Sequence, residues 1–193
     1  MTPVTDTVTD PPLTPAGQRL LDAASELFYR HGIRAVGVDL IAETAGTTKK
    51  TLYDRFGSKD ELVARYLRRR SLSWQEFLRA RFAAVPAGPQ RPAALFDVLA
   101  EWLRHQDRGC GFVNAWAEIG GTDHPAVAEI RAEKAWMREF LVGLVREAGH
   151  PQPERVGAEL HLLYEGASVL ATAAGQADAP GRAREAALRM LTW

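Results

Sequence analysis

Apolar residues recur with the period of an α-helix along nearly the whole chain. In the first such stretch they occupy the positions i, i+3, i+4, i+7 and i+8, which are Leu20, Ala23, Ala24, Leu27 and Phe28. This spacing predicts a helix with one buried face. Thr14 and Pro15 suit its N-cap and first helical position, and Gly32 suits its end. No stretch alternates with the period of a strand, so the sequence predicts an all-α fold.

A second group of short apolar repeats follows the first helix. One repeat ends at Gly46 and the next at Gly57, and the side chain of Thr48 lies where it can cap the later helix. Ser58 and Glu61 form a capping box that opens a fourth helix. Three helices with a tight glycine turn between the second and third indicate a helix-turn-helix domain, which we predict over residues 14–60.

The remaining residues, 61–193, are predicted to form a C-terminal helical domain. Glycine and proline clusters divide it into longer helices near residues 58–84, 92–106, 112–119, 124–148, 153–175 and 180–191. The first 13 residues consist largely of Thr, Pro and Asp without periodicity, and we expect a disordered leader there.

Composition narrows the function classes. The net charge is zero, but residues 14–70 hold 11 Lys or Arg against 7 Asp or Glu, so a basic excess lies in the N-terminal third. The single cysteine, Cys110, excludes an intramolecular disulfide. We find no nucleophile elbow, P-loop or metal-ligand spacing, and we therefore expect neither an enzyme nor a cofactor or metal site. Without a signal peptide or an apolar stretch of membrane length, we expect a cytoplasmic protein.

The third predicted helix has a polar face that suits a DNA major groove. When Leu52 points to the core, Lys50 and Asp54 point away from it. By their chemistry, Lys50 can donate to guanine, Asp54 can accept from cytosine N4, and Thr51 can contact a thymine methyl. The residues expected to bind phosphate at the helix start or beside it are Thr48, Lys49, Tyr53 and Lys59. The alternative is that Lys50 and Asp54 form an ordinary solvated ion pair.

The segment from Leu20 to Leu67 closely resembles the DNA-binding domain of TetR-family regulators. The family pattern D-I-A-x-x-A-G-V-S-x-x-T-L-Y-x-x-F-x-S-K-x-x-L is matched here at Asp39, Ile41-Ala42, Ala45-Gly46, Thr51-Leu52-Tyr53, Phe56, Ser58-Lys59 and Leu62. The resemblance implies that residues 47–54, beginning with Thr47, touch DNA and that Tyr53 and Lys59 hold phosphates. Gly37 replaces a threonine that many members use as a further phosphate donor, and Thr47 replaces a common apolar residue.

Small and apolar residues form a stripe on each of the last two predicted helices. In the family that this chain resembles, these helices join two copies in a four-helix bundle, and we predict a homodimer through the same stripe. Packing within the chain is the alternative. The residues predicted at the dimer interface are Leu160, Leu163, Ala167, Ala171, Ala174, Ala183, Ala186 and Met190.

The C-terminal domain also carries mixed apolar and polar residues that suit the walls of an effector pocket. The segment 109–118 resembles a G-C-x-x-x-N-A-x-x-E segment of one branch of TetR C-terminal domains. The predicted ligand-binding residues are Trp102, His105, Phe112, Asn114, Trp116, Glu118, His161 and Glu165. The alternative for each aromatic residue is an ordinary place in the core.

Together these patterns predict a sequence-specific DNA-binding regulator. We expect a repressor dimer on a near-palindromic duplex operator, released when a small-molecule effector binds the C-terminal domain. The alternative is a helical small-molecule-binding or adaptor dimer that does not bind an operator.

Overall fold

The computed structural model of the protein describes residues 12–106 and 108–193. All regular secondary structure in these residues is helical, which confirms the predicted all-α fold. No helix in this part of the chain is long and apolar enough to cross a membrane. The predicted leader lies outside the described residues except for Pro12 and Leu13, and Leu13 packs against a buried core.

The described part contains nine α-helices, and a short 3-10 turn at Arg91–Ala94 precedes the fifth. The helices are α1 (Pro15–His31), α2 (Val38–Thr44), α3 (Lys49–Phe56), α4 (Lys59–Phe82), α5 (Leu95–Leu103), α6 (Gly111–Ile119), α7 (Ala126–Glu147), α8 (Pro153–Thr172) and α9 (Ala179–Met190).

The first helices begin where their capping residues predict. The side-chain oxygens of Thr14, Thr48 and Ser58 each accept a backbone N–H from three residues further on. The predicted glycine stops are also present, since Gly32 is the C-cap of α1 and Gly57 is the C-cap of α3. These starts and stops are local effects of single side chains, and the sequence alone therefore predicts them.

The buried residues form two cores that divide the chain differently from the predicted domains. The N-terminal core joins α1, α2, α3 and the first half of α4 to α6 and the start of α7. The C-terminal core joins the second half of α4 to α5, the rest of α7, α8 and α9. Helix α6 falls within the predicted C-terminal domain, but its residues Phe112, Ala115 and Ile119 are buried with the helix-turn-helix.

Within the C-terminal core, α8 lies between α7 and α9. A side chain at Gly157 would place a Cβ 2.7 Å from the Cα of Val142, so α7 and α8 approach each other at the level of the backbone. Close contact at this point fixes which face of α8 is turned inward.

Candidate functional site

Helix α3 presents a polar face at the surface of the N-terminal unit. Its apolar residues Leu52 and Phe56 are 0% and 7% exposed, so they anchor the helix to the core. Lys50 and Asp54 point outward, opposite Leu52, and the Tyr53 side chain beside them is exposed. The Tyr53 side chain is 43% exposed, so part of its ring is available to a partner.

Both lysines of α3 are paired with nearby carboxylates. Lys50 Nζ lies 2.8 Å from Asp54 Oδ2, and Lys49 Nζ lies 3.2 Å from Asp39 Oδ2 on α2. The solvated-pair alternative thus describes the free protein. Exposed pairs of this kind contribute little to stability. Exchanging such a partner for a phosphate or a base edge is consequently inexpensive.

The hydroxyls at the start of α3 and the lysine after it already have partners within the chain. Thr48 caps α3, and its Oγ1 lies 2.9 Å from Oγ1 of Thr51. Lys59 Nζ donates to the carbonyl oxygen of Ile33 at 2.6 Å, and burial lowers its pKa, although nearby carboxylates oppose this effect. A phosphate contact by Lys59 would have to share or replace that bond.

The eight predicted ligand-binding residues do not line one cavity. Trp102 and His105 lie on a cleft of about 510 Å³ between α1, α4 and α5, whose wall includes Tyr66. Phe112 and Trp116 lie on an open groove of about 390 Å³ between α6 and α7. A third, smaller cavity of about 30 Å³ touches both Trp102 and Phe112.

Two of the predicted ligand-binding residues instead bond to the backbone of their own chain. The side-chain amide of Asn114 donates to the carbonyl of Arg108 at 2.8 Å. The carboxylate of Glu118 accepts the backbone N–H groups of Ile33 at 2.9 Å and Arg34 at 2.7 Å. Both residues also line a small cavity between α1 and α6, and a ligand contact by either of them stays a prediction. The helical spacing of α6 does not predict these backbone bonds, because it does not reveal that α6 packs against α1.

The other predicted pair, His161 and Glu165, belongs to a cluster of charged residues between α7 and α8. Lys134 Nζ lies 2.8 Å from Glu165 and 3.2 Å from Glu133, and His161 Nε2 lies 3.3 Å from Glu165. Burial raises the pKa of the 3% exposed Glu133, against the opposing effect of Lys134. Burial acts to raise the pKa of Glu165 too, but His161 and Lys134 outweigh it and lower that pKa.

Glu133 and Lys134 are functional candidates that the sequence patterns did not single out. Glu133 also lines the 30 Å³ cavity, together with Trp102 and Phe112. A signal was present in the sequence, because Glu133 falls in register with the buried α7 residues Ile130 and Met137. A charged residue on the apolar face of a helix marks a buried polar site.

The predicted dimer stripe is largely turned into the chain's own core. Leu160, Ala167 and Ala183 are 0%, 4% and 7% exposed in a single chain, so no partner can reach them. The prediction is wrong for these three, because helical period identifies an apolar stripe but not what covers it. Of the rest, Leu163 and Met190 are partly buried against the same core, Ala171 and Ala186 are half-buried, and Ala174 is exposed.

The opposite face of α8 is apolar and exposed. Leu162, Val169 and Leu170 are 75%, 42% and 42% exposed, and Gly166 lies between them. The predicted pocket residues His161 and Glu165 border this face on the same helix. Its exposure leaves an apolar surface of the kind that joins proteins to one another.

Comparison with known proteins identifies the class of this fold. Residues 20–66 match the sequence profile of the family described as bacterial regulatory proteins, tetR family. Over the whole structure, the chain is similar to SCO4454, a TetR-family transcriptional regulator from Streptomyces coelicolor, with a TM-score of 0.76, 28% identity and 92% of each chain covered. The helix-turn-helix domain of this chain belongs to the TetR family. The fold of the whole chain is similar to that of TetR-family transcriptional regulators, which makes it a regulator of the DNA-binding type.

Two relatives with curated names match part of the chain. The transcriptional activator FasR from Mycolicibacterium smegmatis is 34% identical over 91 residues, which are 47% of this chain and 42% of FasR. The transcriptional repressor SCO4008 from Streptomyces coelicolor is 40% identical over 63 residues, which are 33% of this chain and 32% of that protein. The chain therefore matches less than half the length of these relatives.

The structure also describes the two departures from the TetR motif. Gly37 is the N-cap of α2 and offers no side-chain hydrogen bond there. Thr47 is half-buried, and its backbone N–H donates to the carbonyl of Ala42 at 2.9 Å. At both positions the backbone makes a hydrogen bond, since the carbonyl of Gly37 also accepts the N–H of Ile41 at 3.3 Å.

Proposed function

We propose that the protein is a homodimeric repressor that binds a near-palindromic operator through α3 and leaves it when a small-molecule effector binds among the C-terminal helices. The observation that carries this proposal is the outward face of α3, where Lys49, Lys50 and Tyr53 stand exposed on a helix anchored from behind by Leu52 and Phe56. We expect no catalytic activity.

The side chains of this face can contact both base edges in the major groove and backbone phosphates. Lys50 donates to guanine O6 or N7, and Asp54, one turn later, accepts from cytosine N4 once their ion pair opens. Thr51 meets a thymine methyl. The groups assigned to phosphate contacts are Thr47, Thr48, Lys49, Tyr53 and Lys59. The basic excess of residues 14–70 favours the approach of this side of the molecule to DNA.

A second copy of the chain covers the exposed apolar face of α8 in this proposal. The face consists of Leu162, Gly166, Val169 and Leu170 and is only partly covered within the described chain. Two such faces related by a two-fold axis bury each other, and the axis supplies the second recognition helix that a palindrome requires. The exposure of this face supports the proposal. The face takes the place of the stripe of small and apolar residues that the sequence predicted for the dimer interface.

The effector is assigned to the cleft of about 510 Å³ in which α4 and α5 of the C-terminal domain face α1, and which Trp102, His105 and Tyr66 help to line. Its size falls within the range of small-molecule sites, and its aromatic walls and basic side chains offer both apolar contact and orientation. Release from DNA requires that the effector bind the DNA-incompetent state more tightly. By linkage, operator DNA must then weaken effector binding by the same factor.

Fluorescence anisotropy tests the DNA-binding part directly. The purified protein is titrated against labelled duplex fragments flanking its own gene at several salt concentrations, beside variants Lys50→Ala and Tyr53→Phe. The control is Arg146→Ala, which removes a similarly exposed ion pair, with Glu154, from the far end of α7. Loss of one specific base contact is worth about 1–3 kcal/mol, so we expect Lys50→Ala to weaken binding about 5- to 150-fold.

The control is expected to bind DNA as the unchanged protein does. Binding of the unchanged protein should also fall steeply with salt, because phosphate contacts release counterions. If the effector-free protein binds no fragment even at low salt, the operator proposal fails. The favoured function is then the alternative, a helical small-molecule-binding dimer.

A further inference from the structure

The backbone just after α1 is held by a carboxylate from a distant part of the chain. Glu118, in the last turn of α6, accepts the N–H of Ile33 with Oε1 and the N–H of Arg34 with Oε2. We propose that Glu118 is a positioning residue through which α6 sets the orientation of the helix-turn-helix, and with it the separation of the two recognition helices. We call this pair of bonds the Glu118 clamp. The part that concerns two helices rests on the proposed function.

The clamp is a tight and directional contact. Both carboxylate oxygens are used, and a charged acceptor makes stronger hydrogen bonds than a neutral one. Gly32, which precedes the held residues, has a φ of +91°, and a Cβ there would lie 2.9 Å from Oε1 of Glu118. The carboxylate thus fits against bare backbone, and its position fixes that of residues 32–34.

A second side chain holds the same residue from the opposite side. Lys59, the first residue of α4, donates to the carbonyl of Ile33. Ile33 therefore has its N–H bound by α6 and its carbonyl bound by α4. The side chains of Ile33 and Val36 are buried in the N-terminal core, and α2 begins two residues after Val36. Any shift of the clamp is carried directly into α2 and the turn to α3.

The segment that leads into α6 is tied to α1 as well. The hydroxyl of Tyr29 accepts the N–H of Arg108 and donates to the carbonyl of Gly109, both at 3.1 Å. Phe112, at the start of α6, lines the small cavity with Leu99 and Tyr164 of the C-terminal core. The start of α6 therefore faces a cavity of the C-terminal core, and its end is hydrogen-bonded to the backbone after α1.

A purely structural role for Glu118 would affect stability alone. The positioning role makes a further demand, because it requires that the folded dimer change its geometry when the clamp is removed. Glu118→Gln removes the charge and sets an amide N–H₂ against one of the two backbone donors. The matched control is Glu101→Gln, since Glu101 also uses both oxygens, to bind Arg81 between α4 and α5.

Three measurements are made on the full chain without any effector. Amide hydrogen exchange reports on residues 33–46. Electron spin resonance reports the distance between labels on the two protomers, attached at Glu43→Cys in a Cys110→Ala background. Anisotropy reports operator affinity, and thermal unfolding confirms that each variant is folded. If Glu118→Gln does not fold, Glu118→Asp, which keeps the charge but withdraws it by one methylene, takes its place.

We expect Glu118→Gln to exchange faster over residues 33–46, to broaden the distance distribution and to bind the operator about tenfold more weakly. The affinity falls because only part of the population then holds the correct helix separation. Glu101→Gln should change none of the three. The positioning role is overturned if Glu118→Gln folds and shows the same exchange rates and the same distance distribution as the unchanged protein. If the unchanged protein binds no DNA, the proposed function fails. The hydrogen-exchange rates and the distance between the labels then still test whether Glu118 positions the helix-turn-helix.

Discussion

Two leucines on α8, two residues apart, should respond to the same substitution in opposite ways. Leu162 is 75% exposed and lies on the face assigned to a second copy, whereas Leu160 is 0% exposed and lies in the C-terminal core. We expect Leu162→Ala to weaken dimerisation without weakening the fold of each chain. Leu160→Ala should destabilise the fold and leave the dimer surface of the folded chain intact.

The magnitudes follow from burial. Burying a whole leucine side chain is worth about 1.5–3 kcal/mol, and three quarters of Leu162 remains to be buried on association. A symmetric dimer buries Leu162 of both protomers. Leu162→Ala should therefore reduce the free energy of dimerisation by about 2–4 kcal/mol and raise the dimer dissociation constant about 30- to 700-fold. Truncating a buried leucine to alanine leaves a cavity, so Leu160→Ala should cost about 2–5 kcal/mol of folding stability.

Sedimentation equilibrium measures the dimer dissociation constant of each variant. Urea unfolding measures stability, and it is repeated at several protein concentrations because dimerisation adds to the apparent stability by mass action. The reasoning is refuted if Leu162→Ala dimerises as tightly as the unchanged protein while Leu160→Ala is a folded monomer. In that case the dimer interface is the stripe predicted from the sequence, which includes Leu160.

Two further predictions concern stability. Gly32→Ala should lower the free energy of unfolding by about 1–3 kcal/mol, because it places a side chain on a residue of positive φ that packs against Glu118. Gly143→Ala, within α7, should raise the free energy of unfolding by about 0.5–1 kcal/mol, because an added methyl group there has open space around it. Urea unfolding measures both changes. Burial raises the pKa of Tyr66 to about 12, so the unfolded chain loses this proton first as the pH rises. Stability should therefore fall between about pH 10 and pH 12, by about 3 kcal/mol from this residue. Chemical unfolding across that range should show a smaller loss in Tyr66→Phe, and equal losses in the two proteins would contradict the assignment.

The recognition helix shows how far local reasoning reaches. Thr48 caps α3, Leu52 and Phe56 anchor it, and Gly57 ends it, all within one short stretch of chain. Each of these effects is set by neighbours in sequence, and the period of 3.6 then fixes which side chains point outward. The outward direction of Lys50 and Asp54 follows for this reason from the sequence alone. Their ion pair is also predictable from the i, i+4 spacing, as the alternative to a base contact.

The C-terminal residues show where such reasoning ends. Leu160 and Leu162 are equally apolar, and Glu118 and Glu165 are equally charged, so residue type cannot separate the members of either pair. The approach of α7 to Gly157 turns Leu160 inward and Leu162 outward. Likewise, the packing of α6 on α1 directs Glu118 to a backbone 84 and 85 residues away in sequence.

The helices, their caps, the family and the outward face of α3 are all encoded locally, because they depend on spacing and on contacts between near neighbours. Three other features arise only when the helices assemble: which stripe of α8 is covered, which unit α6 joins, and which polar side chains bond to backbone. Those outcomes depend on contacts between residues far apart in the chain. A helical period shows that a face is apolar, but the partner that buries it is chosen by how the helices pack together.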